Sequence, residues 1–268
     1  MNDLLDTMNI EMVKVVEWLQ VNKLSLNLKK THYVVFRRKR TKLAVEKDLM
    51  VNNVKIDMTN KTKFLGVVID EYLSFEYHVK HIKGKVARGL GILYKSKRLL
   101  NKDSLVQLYN SFIYPYINYC ICVWGNTCMS YLSPLTKLQK KAVRIVSGAK
   151  RSEHTYPLFK ELRILRIREV YAYSLQLIMF KYHHGLLPNI FGNFFVLNNS
   201  IHSYGTRQEN LMHVPLLKSK QASLTIRNLG VKSYNHFIDL LDLDCSELCY
   251  KIQLKNYFLQ LGVPEFLG

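Results

Sequence analysis

The strand-like runs of this sequence all fall between His32 and Ile69, and the chain on either side of that window has helical periodicity. Before it, residues 3–20 repeat Leu4, Leu5, Met8, Met12, Val15, Val16 and Leu19 on one side of a helix. Within it lie His32–Phe36, Leu49–Val51 and Val54–Ile56, the last two separated only by Asn52-Asn53. Asparagine tolerates positive φ, so this pair suits a two-residue hairpin. The run KFLGVVI, Lys63–Ile69, reads as one further strand, apolar enough for burial on both faces. Strands grouped together and helices grouped together predict an α+β fold. The expected form is a small antiparallel sheet with one packed helix, followed by a mostly helical region. No 20- to 50-residue repeat is visible.

Ser74 is placed to cap a helix running towards Lys97 despite Gly84, Gly89 and Gly91. Asn101 or Asp103 caps the next, which Pro115 interrupts. Ser133-Pro134 predicts a helix start and Gly148 its stop. A helix over 161–182 ends at Gly185, residues 188–216 have linker composition, and helical texture returns over 221–241 and 245–261. Leu105 to Thr136 carries no charged residue, long enough to span a bilayer. Polar breaks at Gln107, Asn110, Pro115, Asn118 and Gly125 favour a core-facing helical stretch over a membrane span.

Charge sharpens the picture. The 268 residues carry a formal net charge of +19, nearly all of it between residues 29 and 151. Residues 29–63 alone hold 11 basic and 3 acidic groups. Such a footprint calls for a polyanionic partner: nucleic acid or an acidic membrane surface. Five cysteines, an odd number, and an acidic N-terminal dozen without an apolar leader core predict reduced thiols in an intracellular protein, nuclear or cytoplasmic, with Cys120, Cys122 and Cys128 buried in their apolar stretch.

Catalytic chemistry is sparse. Nucleotidyl transfer needs clustered carboxylates to hold metal ions at the reacting phosphate. Here Asp48, Asp57, Asp70 and Asp103 stand alone. Asp70, closing an apolar strand, is a ligand candidate or else a solvated strand-end residue. His78 and His81, and the adjacent His183-His184, lack partners at metal-ligand spacing. There is no P-loop, GxSxG or HExxH. Two basic features remain. Arg37, Arg38, Lys39 and Arg40 follow a strand, as a phosphate contact, a nuclear-import signal or a solvated turn. Lys137, Lys140, Lys141 and Arg144 recur at i, i+3, i+4 and i+7, opposite Leu135, Leu138, Ala142, Ile145 and Val146. That face is either solvated or a nucleic-acid groove, and the charge distribution favours phosphate.

The stretch WLQVNKLSLNLKKTHYVVF (18–36), followed by KFLGVVIDEYLSFEYHVKHI (63–82), resembles the reverse transcriptases of non-LTR retrotransposons, the LINE and jockey-like class. LYNSFIYPYINYCICVWG (108–125), LQKKAVRIVSG (138–148) and HSYGTRQ (202–208) extend the resemblance over nearly the whole chain. It implies residues 1–70 as the C-terminal part of a polymerase palm, 71–150 as a helical thumb, and 151–268 as a helical extension with a linker near 188–216. It also implies Lys30, beside Lys29, as a palm lysine near nucleotide phosphates, and Phe64, Leu65 and Gly66 as the primer grip. The aspartates that bind catalytic metal in that family have no match here. The resemblance therefore implies a fragment of an RNA-directed DNA polymerase that binds RNA, DNA or their hybrid and is inactive by itself. No cofactor is expected in this chain, magnesium only in a complete polymerase, and no membrane partner. An upstream reverse transcriptase polypeptide is the protein partner implied. The alternative is a stand-alone element-derived nucleic-acid-binding protein.

Overall fold

The computed structural model describes residues 2–41, 47–201, 208–217 and 219–267. It is an α+β fold of two compact units, residues 1–78 and 79–268.

In the first unit, α1 (Asn2–Val21) lies against β2 (Leu49–Val51). Leu5 joins Leu49, Val51 and Ile56 in a small core, with Met12, Val16, Leu26, Leu28 and Tyr33 closing around it. The amide of Asn9 clips helix to strand: it donates to Asp48 C=O at 3.1 Å and accepts from Met50 N–H at 2.8 Å. β2 pairs antiparallel with β3 (Val54–Met58) through Asn52 and Asn53, whose φ of 49° and 60° match the expected hairpin. β1 is only His32–Tyr33, shorter than the run to Phe36 predicted it, and joins β3 in parallel. The three-stranded sheet is therefore mixed at that edge.

The predicted single strand 63–69 is a hairpin instead. β4 (Lys61–Phe64) and β5 (Val67–Asp70) pair antiparallel, and Leu65 and Gly66 turn the corner at φ 43° and 84°. The apolar run concealed the turn, because leucine is a poor residue for positive φ. Burial on both faces fails with it: Val67 is buried, but Phe64 and Leu65 are 61 % and 74 % exposed.

Asp70 is 1 % exposed, which corrects both expectations for it. Its carboxylate accepts from the backbone N–H groups of Tyr72, Ser74 and Phe75 and from Ser74 Oγ. It is neither solvated nor open to a metal; it ties the corner leading into α2 (Glu76–Ser96).

The second unit is helical. The uncharged stretch divides among α3 (Lys102–Phe112), α4 (Tyr114–Asn118), α5 (Ile121–Trp124) and the start of α6 (Met129–Ser147). No helix among the described residues is long and apolar enough to cross a membrane. Asn101 caps α3 through Ser104 N–H at 2.9 Å. α6 begins at Met129, ahead of the predicted Ser133-Pro134 start, and keeps Pro134 inside it. It ends where expected, at Gly148 with φ 68°. The predicted helix 161–182 is broken: α7 (Thr155–Glu161) and α8 (Ile167–His183) flank a bend where Arg163 has φ 52°.

α8 is the hub. α4, α5, α10 (Ile226–Phe237) and α11 (Glu247–Leu261) pack on it, and nine of its 17 residues are buried. Two buried glutamines fix these helices. Gln139 donates to Tyr109 Oη and Leu165 C=O, both at 2.9 Å, and accepts from Ile167 N–H at 3.2 Å. Gln176 donates to Tyr250 Oη and accepts from Ser233 Oγ, both at 2.7 Å. A short helix, α9 (Lys220–Ser223), precedes α10. Within 188–216, Phe195 and Met212 are buried, and Asn198 N–H reaches Leu211 C=O at 3.0 Å.

The glycines of α2 divide into two kinds. A Cβ at Gly89 stands 2.6 Å from Phe112 C=O, so close packing demands glycine there. A Cβ at Gly84 or Gly91 meets nothing within 4 Å. Each nevertheless costs the helix about 1 kcal/mol relative to alanine.

Candidate nucleic-acid interface

The first unit presents two basic features. In the turn after β1, Arg37 is spent within the fold. Nε donates to Glu71 at 2.8 Å, Nη2 to Tyr72 Oη at 2.9 Å and Nη1 to Thr41 C=O at 2.6 Å. Its ion pair with Glu71 is largely shielded from solvent. The guanidinium also lies 5.0 Å from the Tyr72 ring, and the Lys39 ammonium 5.7 Å from it. Arg38, Lys39 and Arg40 are exposed. Arg37 thus braces a turn that carries three outward cations. Nothing near Arg37 in the sequence marks this brace, because Glu71 and Tyr72 lie 34 and 35 residues away. Lys29 and Lys30 are exposed in the corner between α1 and β1.

The second feature is the β4–β5 hairpin. Phe64, Leu65 and Gly66 form its exposed tip, with Lys61 and Lys63 exposed on the strand leading to it. The Lys61 ammonium sits 4.1 Å from the centre of the Tyr77 ring. An apolar tip rising from a basic strand can stack on a base or sugar while the lysines meet phosphate.

In the second unit, α6 buries Leu132, Leu135, Gln139, Ala142, Val143 and Val146. Its other side exposes Lys137, Lys140 and Lys141, none in an ion pair with a described residue. Arg144 differs from them: Nε and Nη2 both donate to Glu153 C=O, at 3.0 and 2.8 Å, holding the segment after the helix.

A magnesium site is not supported by the residues present. Asp70 is consumed by its four hydrogen bonds, and the described residues contain no group of three or more His, Cys, Asp or Glu placed to hold a metal. Burial pushes the Cys122 thiol up to about 12. Cys128 is exposed, contrary to the expectation of a buried thiol, and Cys249 is exposed as well. His78 is buried, with Nδ1 accepting from Val68 N–H at 3.2 Å. His183 and His184 are satisfied by Tyr234 Oη and Leu243 C=O. The notable residues of HSYGTRQ lie almost wholly outside the described residues.

Over about half its length the chain is similar to RNA-directed DNA polymerases of mobile elements. Among the relatives are the probable RNA-directed DNA polymerase from transposon X-element of Drosophila melanogaster, 25 % identical over 155 residues, and the enzyme from mobile element jockey of Drosophila funebris, 25 % identical over 139. The jockey enzyme of Drosophila melanogaster is 29 % identical over 109 residues. These matches cover 56 %, 51 % and 39 % of this chain but only 17 %, 15 % and 12 % of the relatives. No family model matches the chain, and no solved structure matches it significantly.

Proposed function

We propose that the chain is a nucleic-acid-holding part of a mobile-element RNA-directed DNA polymerase, gripping primer and template without performing phosphoryl transfer by itself. The observation that carries this reading is the exposed face of α6. Three lysines stand there with no carboxylate among the described residues to neutralise them. Such a face is matched by the regular charge of a sugar–phosphate backbone. Lys29, Lys30, Arg38, Lys39, Arg40 and the tip Phe64-Leu65-Gly66 supply further contacts, which position a strand without reading its sequence. Residues 1–70 act as the palm portion, 71–150 as the thumb and 151–268 as the extension. The metal-binding carboxylates of catalysis belong to other polymerase sequence. The outer side of α1, where Ile10, Trp18 and Val21 are exposed, is a surface for that sequence to cover.

The test is binding of the full chain to a short RNA–DNA hybrid across a salt series. Affinity falls steeply with salt, and Lys137→Glu/Lys140→Glu/Lys141→Glu weakens it at least about tenfold and lowers the salt slope by about 0.9 for each cation removed. A flat salt response sinks the reading. Primer extension by the chain alone stays at background; robust extension overturns the division of labour.

A further inference from the structure

The bend between α7 and α8 is closed by a residue that its turn does not favour. Ile164 N–H donates to Phe159 C=O and Arg163 N–H to Lys160 C=O, both at 3.0 Å, the bond pair of a Schellman turn. Arg163 follows the helix cap Leu162 and holds φ 52°. Glycine or asparagine is the ordinary occupant of that place, because a β-carbon is strained at positive φ. The arginine side chain is exposed and reaches α11, where Nη2 donates to Asn256 Oδ1 at 2.7 Å. Arg163 Nε and Nη1, and both Nδ2 donors of Asn256, have no partner among the described residues.

Next to Asn256 stands Lys255, half-buried and in no ion pair with a described residue. Burial, and after it the Arg163 guanidinium, hold its ammonium below the ordinary lysine range. The glutamates of the three helices are engaged elsewhere: Glu161 with Lys102, Glu169 with Arg166, and Glu247 with Lys251. These helices contain no aspartate. Two cations are thus held together without a carboxylate, one of them partly out of water and the other on a strained backbone. Each feature is unfavourable in the free chain, and an anion between them relieves the electrostatic part.

We propose that Arg163, Lys255 and the Asn256 amide form an anion site at this bend that takes a phosphomonoester, the group carried by a free mononucleotide or by the 5′ end of a strand. Such a group bears close to two negative charges at neutral pH, matching the two cations. The guanidinium fork and the amide supply N–H donors for its oxygens. A phosphodiester within a backbone has a single charge and leaves the pair half neutralised. The site goes beyond the grip on primer and template, and it uses none of the lysines of α6.

Thermal melting of the full chain in inorganic phosphate, adenosine monophosphate or chloride at one ionic strength tests it. The two phosphates raise the melting temperature saturably and chloride does not. Lys255→Met removes an uncompensated, half-buried charge, so it melts no lower than the parent, yet its phosphate affinity falls at least about tenfold. Arg163→Gly, whose backbone suits the turn, loses the phosphate affinity likewise. Parental phosphate affinity in both variants, or a phosphate shift in the parent no larger than that of chloride, overturns the proposal. Lys137→Glu/Lys140→Glu/Lys141→Glu keeps the phosphate shift; its loss there moves the phosphate to α6 and also overturns the proposal. Failure of hybrid binding with the phosphate shift intact defeats the broader reading and leaves this one standing. A 5′-phosphorylated oligonucleotide that binds at least about tenfold more tightly than its 5′-hydroxyl counterpart, in the parent but not in Lys255→Met, assigns the site to a strand end. Equal binding of the two, with the monophosphate shift retained, assigns it to a free nucleotide.

Discussion

Asp70 shows how one side chain can look like a catalytic ligand and act as a structural cap. Its carboxylate receives three backbone N–H groups and one hydroxyl, all shielded from water. Buried donors left without an acceptor are costly. Asp70→Ala is therefore expected to lower the stability of the first unit by about 2–4 kcal/mol in urea unfolding. Calorimetric titration with magnesium is expected to be unchanged by the substitution. Leu65 behaves in the opposite way. It holds φ 43° with three quarters of its surface in solvent, so little burial offsets the strain. Leu65→Asn is expected to raise stability by about 1 kcal/mol while reducing hybrid affinity, because asparagine tolerates the turn but cannot stack. A gain in both quantities removes the tip from the interface.

At the scale of elements, what was legible followed from local chemistry. The Asn52-Asn53 hairpin, the Asn101 cap, the Gly148 stop and the one-sided apolar face of α6 are each set by residues within a turn or two of one another. The differences fall at positive-φ residues that the surrounding pattern hides. Leu65-Gly66 turns inside an apolar run, and Arg163 breaks a helical pattern that its neighbours support. The lysines of α6 were legible as a face, but the diversion of Arg144 and Arg37 into the fold was not, since their partners are backbone carbonyls, a carboxylate and a phenol set by tertiary structure. The buried glutamines are the same case. Gln139→Leu is expected to strand Tyr109 Oη, Leu165 C=O and Ile167 N–H and to cost about 2–4 kcal/mol, read by thermal or urea unfolding. His236, in the last turn of α10 and 3.1 Å from Tyr257 Oη, adds a pH response. Burial holds its pKa below the ordinary 6.5. The unfolded chain therefore takes up a proton first as pH falls. The contribution is full above 6.5 and is lost as pH passes down through the lowered folded value. Melting temperatures across that range are expected to fall less in His236→Phe than in the parent.

For the whole molecule, a net charge of +19 means that the folded chain is held under self-repulsion that a polyanion relieves. Added RNA or RNA–DNA hybrid is expected to raise the melting temperature, by about 2.7 kcal/mol of linkage at a hundredfold excess over Kd, and salt is expected to erase the gain. A stabilisation that survives high salt points to contacts other than phosphate. A smaller feature bears on strand addition by another chain. β2 is an edge strand, and an unpaired edge is a template on which another chain can add a strand. The amide of Asn9 already occupies the Met50 donor and the Asp48 acceptor just beyond the strand. It works as a one-residue dummy strand: while this single amide stays bound, the edge offers a second chain no complete ladder to join.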